Sequence, residues 1–203
     1  MLPLVDISIR SQIVSFHIAL QVATVKGHVP IVELLLKVEG INPNIYGGSL
    51  QSPLLMAASR GNSAIVELLL AKVNIDPDVR DEYNFSPLLY ACLAGHVSIV
   101  RQLLARDNVD INCRGSFRHY LEYQDVNTPL RAACSGGNTE IISLLLTKHG
   151  IDVNEGNHDG NTPLMIAVVN NRVEGVKSLL ARADVDPNIP NRSGCTALSH
   201  AVS

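Results

Sequence analysis

The feature that most constrains this chain is that it repeats itself. Ser52-Pro-Leu-Leu-Met-Ala-Ala-Ser-Arg-Gly-Asn62 returns as Ser86-Pro-Leu-Leu-Tyr-Ala-Cys-Leu-Ala-Gly-His96, then as Thr128-Pro-Leu-Arg-Ala-Ala-Cys-Ser-Gly-Gly-Asn138 and Thr162-Pro-Leu-Met-Ile-Ala-Val-Val-Asn-Asn-Arg172. The steps are 34, 42 and 34 residues, and a further 34 leads to Thr196-Ala-Leu-Ser-His-Ala201. Gly27-His28 lies 34 residues before Gly61 and marks a degenerate first unit around Leu20 and Ala23. A fixed period of this length predicts a stack of supersecondary units, each covering its neighbour's apolar face.

Each part of the period has a physical reason. Ser or Thr before Pro is a helix start: the hydroxyl accepts a free N–H, and Pro gives up a hydrogen bond the first turn would not make. Small residues follow at Ala57, Ala58, Ala91, Ala133 and Ala167, where a second helix must come close. Gly27, Gly61, Gly95 and Gly137 end this helix in the left-handed region, with Asn171 as substitute in the fifth unit. A second helix is read from Ile31-Val-x-Leu-Leu-Leu36, Ile65-Val-x-Leu-Leu-Leu70, Ile99-Val-x-x-Leu-Leu104 and Ile141-Ile-x-Leu-Leu-Leu146, with Glu33, Glu67 and Arg101 facing out. Turns follow at Asp76-Pro-Asp, Asp110-Ile-Asn, Asp152-Val-Asn and Asp186-Pro-Asn. The fifth unit is expected to be the softest internal one, since Asn171 replaces Gly, Gly175 sits inside its second helix and Ser178 replaces Leu.

These motifs resemble the ankyrin-repeat family, with its Thr-Pro-Leu-His-x-Ala motif on a period of about 33 residues. The resemblance covers residues 18–203 and implies an all-α solenoid of helix-turn-helix units with projecting hairpin tips: about five full units and a partial sixth. Residues 1–17 are left as an N-terminal segment. Asp6-Ile-Ser-Ile-Arg10 resembles Asp76-Pro-Asp-Val-Arg80, as though it closed a preceding unit. The chain departs from the family at the motif's His, replaced by Leu55, Leu89, Arg131, Met165 and Ser199. By resemblance, such domains bind proteins through their tips and the exposed ends of their first helices. The spacing to Asn112 and Asn154 also resembles the asparagine-hydroxylation sites of some ankyrin proteins, although the same residues are needed for the turn.

Side-chain distribution points the same way. Tyr46, Tyr83, Phe85, Phe117, Tyr120 and Tyr123 fall between units, where the Leu, Ile, Val and Ala core does not call for them, and Tyr, Phe and Arg dominate protein interfaces. The 42-residue step adds residues within 113–126, carrying Arg114, Phe117, Arg118, Tyr120 and Tyr123 where a filler loop would favour Gly, Ser and Asn. These residues, with Ser59, Arg60, Leu93, His158 and Asp159, are the partner-binding candidates. Two blander alternatives stand beside them: loop aromatics that pack on neighbouring turns, and an insertion that folds back over its own repeats.

Other functions find little support. With 16 basic and 19 acidic residues there is no basic stripe for nucleic acid, and no apolar run approaches bilayer length. Cys92 and Cys134 sit at core positions; Cys113, beside Arg114, is the thiol with some prospect of reactivity. The cysteines are widely spaced and read as reduced thiols of a cytoplasmic or nuclear protein. Asp76, Asp78, Asp81 and Glu82 form an acidic group that reads as a solvated turn rather than a cation site. His28 and His96 follow helix-ending glycines and read as structural. No cofactor, metal or catalytic residue is expected. The expected function is a protein-recognition module, with a structural segment of a larger multidomain protein as the alternative; bare apolar ends suggest self-association or a continued array.

Overall fold

The computed structural model describes the backbone of residues 4–45, 51–115 and 128–202, and side chains from residue 15 onward. The described residues form α-helices and no strands, as expected for an all-α solenoid. They pair as α1 (Leu4–Lys26) with α2 (Val29–Leu35), α3 (Pro53–Arg60) with α4 (Ser63–Leu70), α5 (Pro87–Ala94) with α6 (Val97–Leu104), α7 (Pro129–Gly136) with α8 (Thr139–Leu146), and α9 (Pro163–Val169) with α10 (Val173–Leu180). A sixth first helix, α11 (Ala197–Ala201), follows. First helices pack on first helices and second helices on second helices, so the stack has two parallel rows.

The helix starts are built as the sequence implies. Ser52, Ser86, Thr128, Thr162 and Thr196 accept a hydrogen bond from the backbone N–H three residues on. Each such cap contributes about 1 kcal/mol. Gly61, Gly95 and Gly137 end their helices at φ of 76°, 74° and 72°, and Asn171 takes the same region at 53°. Between the rows lies one continuous core of Leu54, Leu88, Leu130, Ile65, Ile99, Ile141 and their equivalents, with Glu33, Glu67 and Arg101 outside.

Three polar ladders, invisible to an apolar-periodicity argument, tie unit to unit. In the turns, Asn44 donates from Nδ2 to the Asn74 carbonyl (2.6 Å) and accepts from the Asp76 N–H (2.8 Å); Asn112 and Asn154 repeat both bonds to the unit after theirs. At the second-helix ends, Lys72, Arg106, Lys148 and Arg182 donate to the carbonyls of Leu36, Leu70, Leu104 and Leu146, satisfying C-terminal groups that have no intrahelical partner. After the first helices, Asn62, Asn138 and Arg172 donate back to Thr24, Gly95 and Ser135, while the His96 ring lies against Gly61. His96 is therefore a packing residue, as its sequence context implied.

Two expectations change. Residues 6–10 lie within α1, so the likeness to Asp76–Arg80 does not produce an inter-unit turn there. Instead His17, near the middle of α1, accepts the Asn42 N–H at 2.8 Å, the bond that in later units goes to the preceding carboxamide. In the fifth unit, Ser178 does not open a hole in the core, because its counterparts Leu68, Gln102 and Leu144 are themselves only half-buried. Gly175 is the larger departure, standing where Ile65, Ile99 and Ile141 are buried. Ile142 of α8 fills that space, with Cδ1 only 3.1 Å from where a Gly175 Cβ would sit.

Candidate functional site

The tips preceding α5, α9 and α11 share one construction. Asp81, Asn157 and Asn191 each donate their N–H to the carbonyl four residues on, at 3.1, 3.1 and 2.8 Å. Their Oδ1 atoms accept two backbone N–H groups from the same turn. Asn84, Gly160 and Gly194 close the turn in the left-handed region. This leaves two residues at each apex: Glu82 and Tyr83, His158 and Asp159, Arg192 and Ser193. Neighbouring tips are joined, since the Arg192 N–H donates to the Asp159 carbonyl (2.8 Å) and Asn191 donates to the Asn161 side chain (2.8 Å). Arg192 also lies against the His158 ring at 3.2 Å.

The tip carboxylate Asp81 is buried but fully used. It accepts the Tyr90 hydroxyl (2.6 Å) and Gln51 Nε2 (3.2 Å) on one oxygen and the tip N–H groups on the other. Burial, reinforced by Asp81, pushes the Tyr90 phenol up to about 12. Asp76 likewise holds the Asp78 N–H. These carboxylates are committed to backbone, and among the described residues no group of three or more His, Cys, Asp or Glu is arranged to hold a metal.

Of the sequence candidates, Tyr83 is half-buried at its apex, and His158 and Asp159 are exposed. Ser59 and Leu93 are half-buried and Arg60 exposed at the ends of α3 and α5. Arg114 is exposed, pairs with Glu155, and has its carbonyl held by Asn84 Nδ2 at 2.6 Å. Tyr46, Phe117, Arg118, Tyr120 and Tyr123 lie outside the described residues. Cys113, Arg114 and Gly115 keep the register of Val79, Arg80 and Asp81, and the rest of the stretch expected to hold the added residues lies outside the described residues.

Phe85 is a correction. It was expected on the exposed edge, yet its side chain has no accessible surface and its ring centroid lies 5.2 Å from that of Tyr90. Gly115 crosses directly over it: a Cβ there would come within 2.7 Å of the Phe85 ring and of Leu89. The last residue of this tip turns inward, and its ring is the floor on which Gly115 lies. Cys113 is a second correction. Instead of an accessible loop thiol it is buried against the Ser86 hydroxyl (3.1 Å), and burial pushes it up to about 11. Cys92 and Cys134 are buried core thiols, also pushed up by desolvation, Cys134 to about 12. A thiol held neutral in this way is a poor nucleophile.

Val169, Asn170, Arg192 and Ser193 were not singled out from the sequence, though all are exposed at positions equivalent to Ser59, Arg60, Glu82 and Tyr83. Carrying the repeat register through to the last units would have found them. A family model described as ankyrin repeats (3 copies) matches residues 16–115 and again 116–191. The chain is an ankyrin-repeat protein. No curated protein matches this ankyrin chain significantly in sequence. Ankyrin repeats generally serve as protein–protein interaction modules and are typically non-enzymatic. Among the described residues no helix is long and apolar enough to cross a membrane.

Proposed function

We propose that this ankyrin array recognises a partner protein along the edge made by its hairpin tips and the ends of its first helices. The observation that carries this is the division of labour within the three described tips: one Asx side chain fixes the backbone, while the apex side chains Glu82, His158, Asp159, Arg192 and Ser193 are exposed and Tyr83 is half-buried. Tyr83, His158, Asp159 and Arg192, with Ser59, Arg60 and Leu93 on the helix ends, supply mixed aromatic, charged and small surface on a rigid support, which suits protein recognition. Tyr46, Arg114, Phe117, Arg118, Tyr120 and Tyr123 extend the proposed edge by sequence position and composition. Phe85 is omitted because it is core.

The test is affinity capture with the full chain, followed by calorimetric titration of the captured protein. Arg60→Glu, Tyr83→Ala and Leu93→Arg, combined, should abolish retention, and Tyr83→Ala alone should weaken binding by about 2 kcal/mol if it is a hot spot. Circular dichroism checks that the array stays folded. Unaltered affinity in the folded triple variant would refute the assignment.

A further inference from the structure

Among the described residues, the large exposed apolar side chains belong to the first unit or to the fifth and sixth, except Val73, which is fully exposed in the second. Val73 lines a groove of about 330 Å³ between the second and third inter-unit turns. With Ile75 and Pro77 it gives the groove an apolar wall, and Lys72, Arg106 and Asn108 supply the polar groups. That size is near the lower end for ligand pockets, room for a residue or two rather than a helix.

The charge of this groove is one-sided. Two cations line it and no carboxylate does, since Asp76 and Asp107, close in sequence, are not part of the lining. Both cationic heads are held in place by the ladder, Lys72 on the Leu36 carbonyl and Arg106 on the Leu70 carbonyl. Each bond uses one N–H, and an ammonium carries three and a guanidinium five, so donors remain for a ligand. The Asn108 carbonyl is the complementary acceptor. Its counterparts on Asn74, Gly150 and Asp184 each receive a carboxamide N–H from the preceding unit. Asp78, at the matching position, has no such proton, and no described residue donates to the Asn108 carbonyl.

We infer that this groove binds the carboxyl-terminal residue of a partner protein whose chain ends in a branched aliphatic side chain. One such residue carries all three complements. Its carboxylate meets Lys72 and Arg106 in charge-assisted hydrogen bonds, about twice as strong as neutral ones. The side chain lies on Val73, Ile75 and Pro77, and the residue's own amide N–H donates to the Asn108 carbonyl. An internal Glu or Asp brings the charge without a branched side chain on the same residue. Recognition of this kind uses neither the tips nor the first-helix ends of the proposed edge, so the two assignments can fail separately.

The probe is a fluorescein-labelled Gly-Ser-Gly-Leu peptide with a free carboxyl terminus, titrated by anisotropy against the full chain. Saturable binding is expected. The same peptide with an amidated terminus should bind at least about tenfold more weakly, because the charged hydrogen bonds are lost. A terminal Ser in place of Leu should weaken binding roughly fivefold or more. In the protein, Val73→Asp places a like charge against the carboxylate and should weaken binding at least about tenfold. Asp107 holds the same register in the third unit, so this variant is expected to fold, and its melting curve checks that. Ala183→Asp, at the equivalent position of the fifth unit, should leave binding unchanged. The peptide arms need no variant at all. No saturable binding, equal binding of acid and amide, or equal loss in Val73→Asp and Ala183→Asp overturns the inference. So does an amidated Gly-Ser-Glu-Gly that binds as tightly as the free acid, which would make an internal acidic side chain the occupant.

Discussion

Asp78→Asn should stabilise the array at neutral pH. Asp78 occupies the ladder position held elsewhere by Asn44, Asn112 and Asn154, each of which donates to the next unit at 2.6 to 2.8 Å. A carboxylate has no proton to donate to the equivalent Asn108 carbonyl, and Asp78 Oδ1 is buried without a hydrogen-bond partner. Burial holds the Asp78 carboxyl above the ordinary aspartate value, opposed by Arg80, which bridges Asp78 (2.5 Å) and Asp110 (3.2 Å). Asparagine would supply the missing donor, worth about 1 kcal/mol net. It would also remove a poorly solvated charge, while Arg80 keeps Asp110. Loss of the Asp78–Arg80 pair offsets up to about 1 kcal/mol. The net expectation is a gain of about 0.5–1.5 kcal/mol, or roughly 1–5 °C in Tm for a chain of this length. The pH dependence fixes the cause. A raised acid pKa means the folded state binds the proton more tightly, so the wild-type deficit is full above the folded pKa. It shrinks as pH falls and is gone below the unfolded value of about 3.9. Urea titrations of both proteins from neutral pH to about pH 4 should show the gap closing. A destabilised variant, or a gap that widens in acid, would show that the Arg80 pair outweighs the missing donor.

Other changes separate core from edge. Phe85→Ala should cost about 3–5 kcal/mol, read as a collapsed melting temperature. Phe117→Ala with Tyr120→Ala should leave melting intact and weaken partner binding by roughly 2–4 kcal/mol; a lowered Tm would instead mean that these rings cover their own repeats. Amide exchange should be faster across Arg172–Ala181 than across Ser63–Lys72, because Gly175 stands in α10 where Ile65, Ile99 and Ile141 are buried in the other units; equal protection would show that Ile142 compensates fully.

Helix positions, caps and left-handed terminators were legible because each rests on local chemistry that the period repeats. The ladders were not, since they join residues 30 to 44 apart through polar side chains that a periodicity argument counts as turn or surface. Phe85 shows the limit most clearly. Its place in a tip fits an exposed aromatic, and only the passage of Gly115 over the ring, from the next unit, makes it core. Cys113 was misjudged for the same reason, as its burial depends on Ser86 in another unit. His17 could have been suspected from its spacing to Asn42, but nothing local marks it as an end cap.

Site-specific photocrosslinking tests the central claim most directly. A benzoylphenylalanine placed in the full chain at Tyr83, Arg60 or His158, on the proposed edge, is compared with one at Glu67 or Arg101 on the outward face of the second helices. Crosslinks to a partner protein from the first set, and none from the second, are predicted. Crosslinks confined to Glu67 and Arg101 would contradict the account and move recognition to the second-helix row.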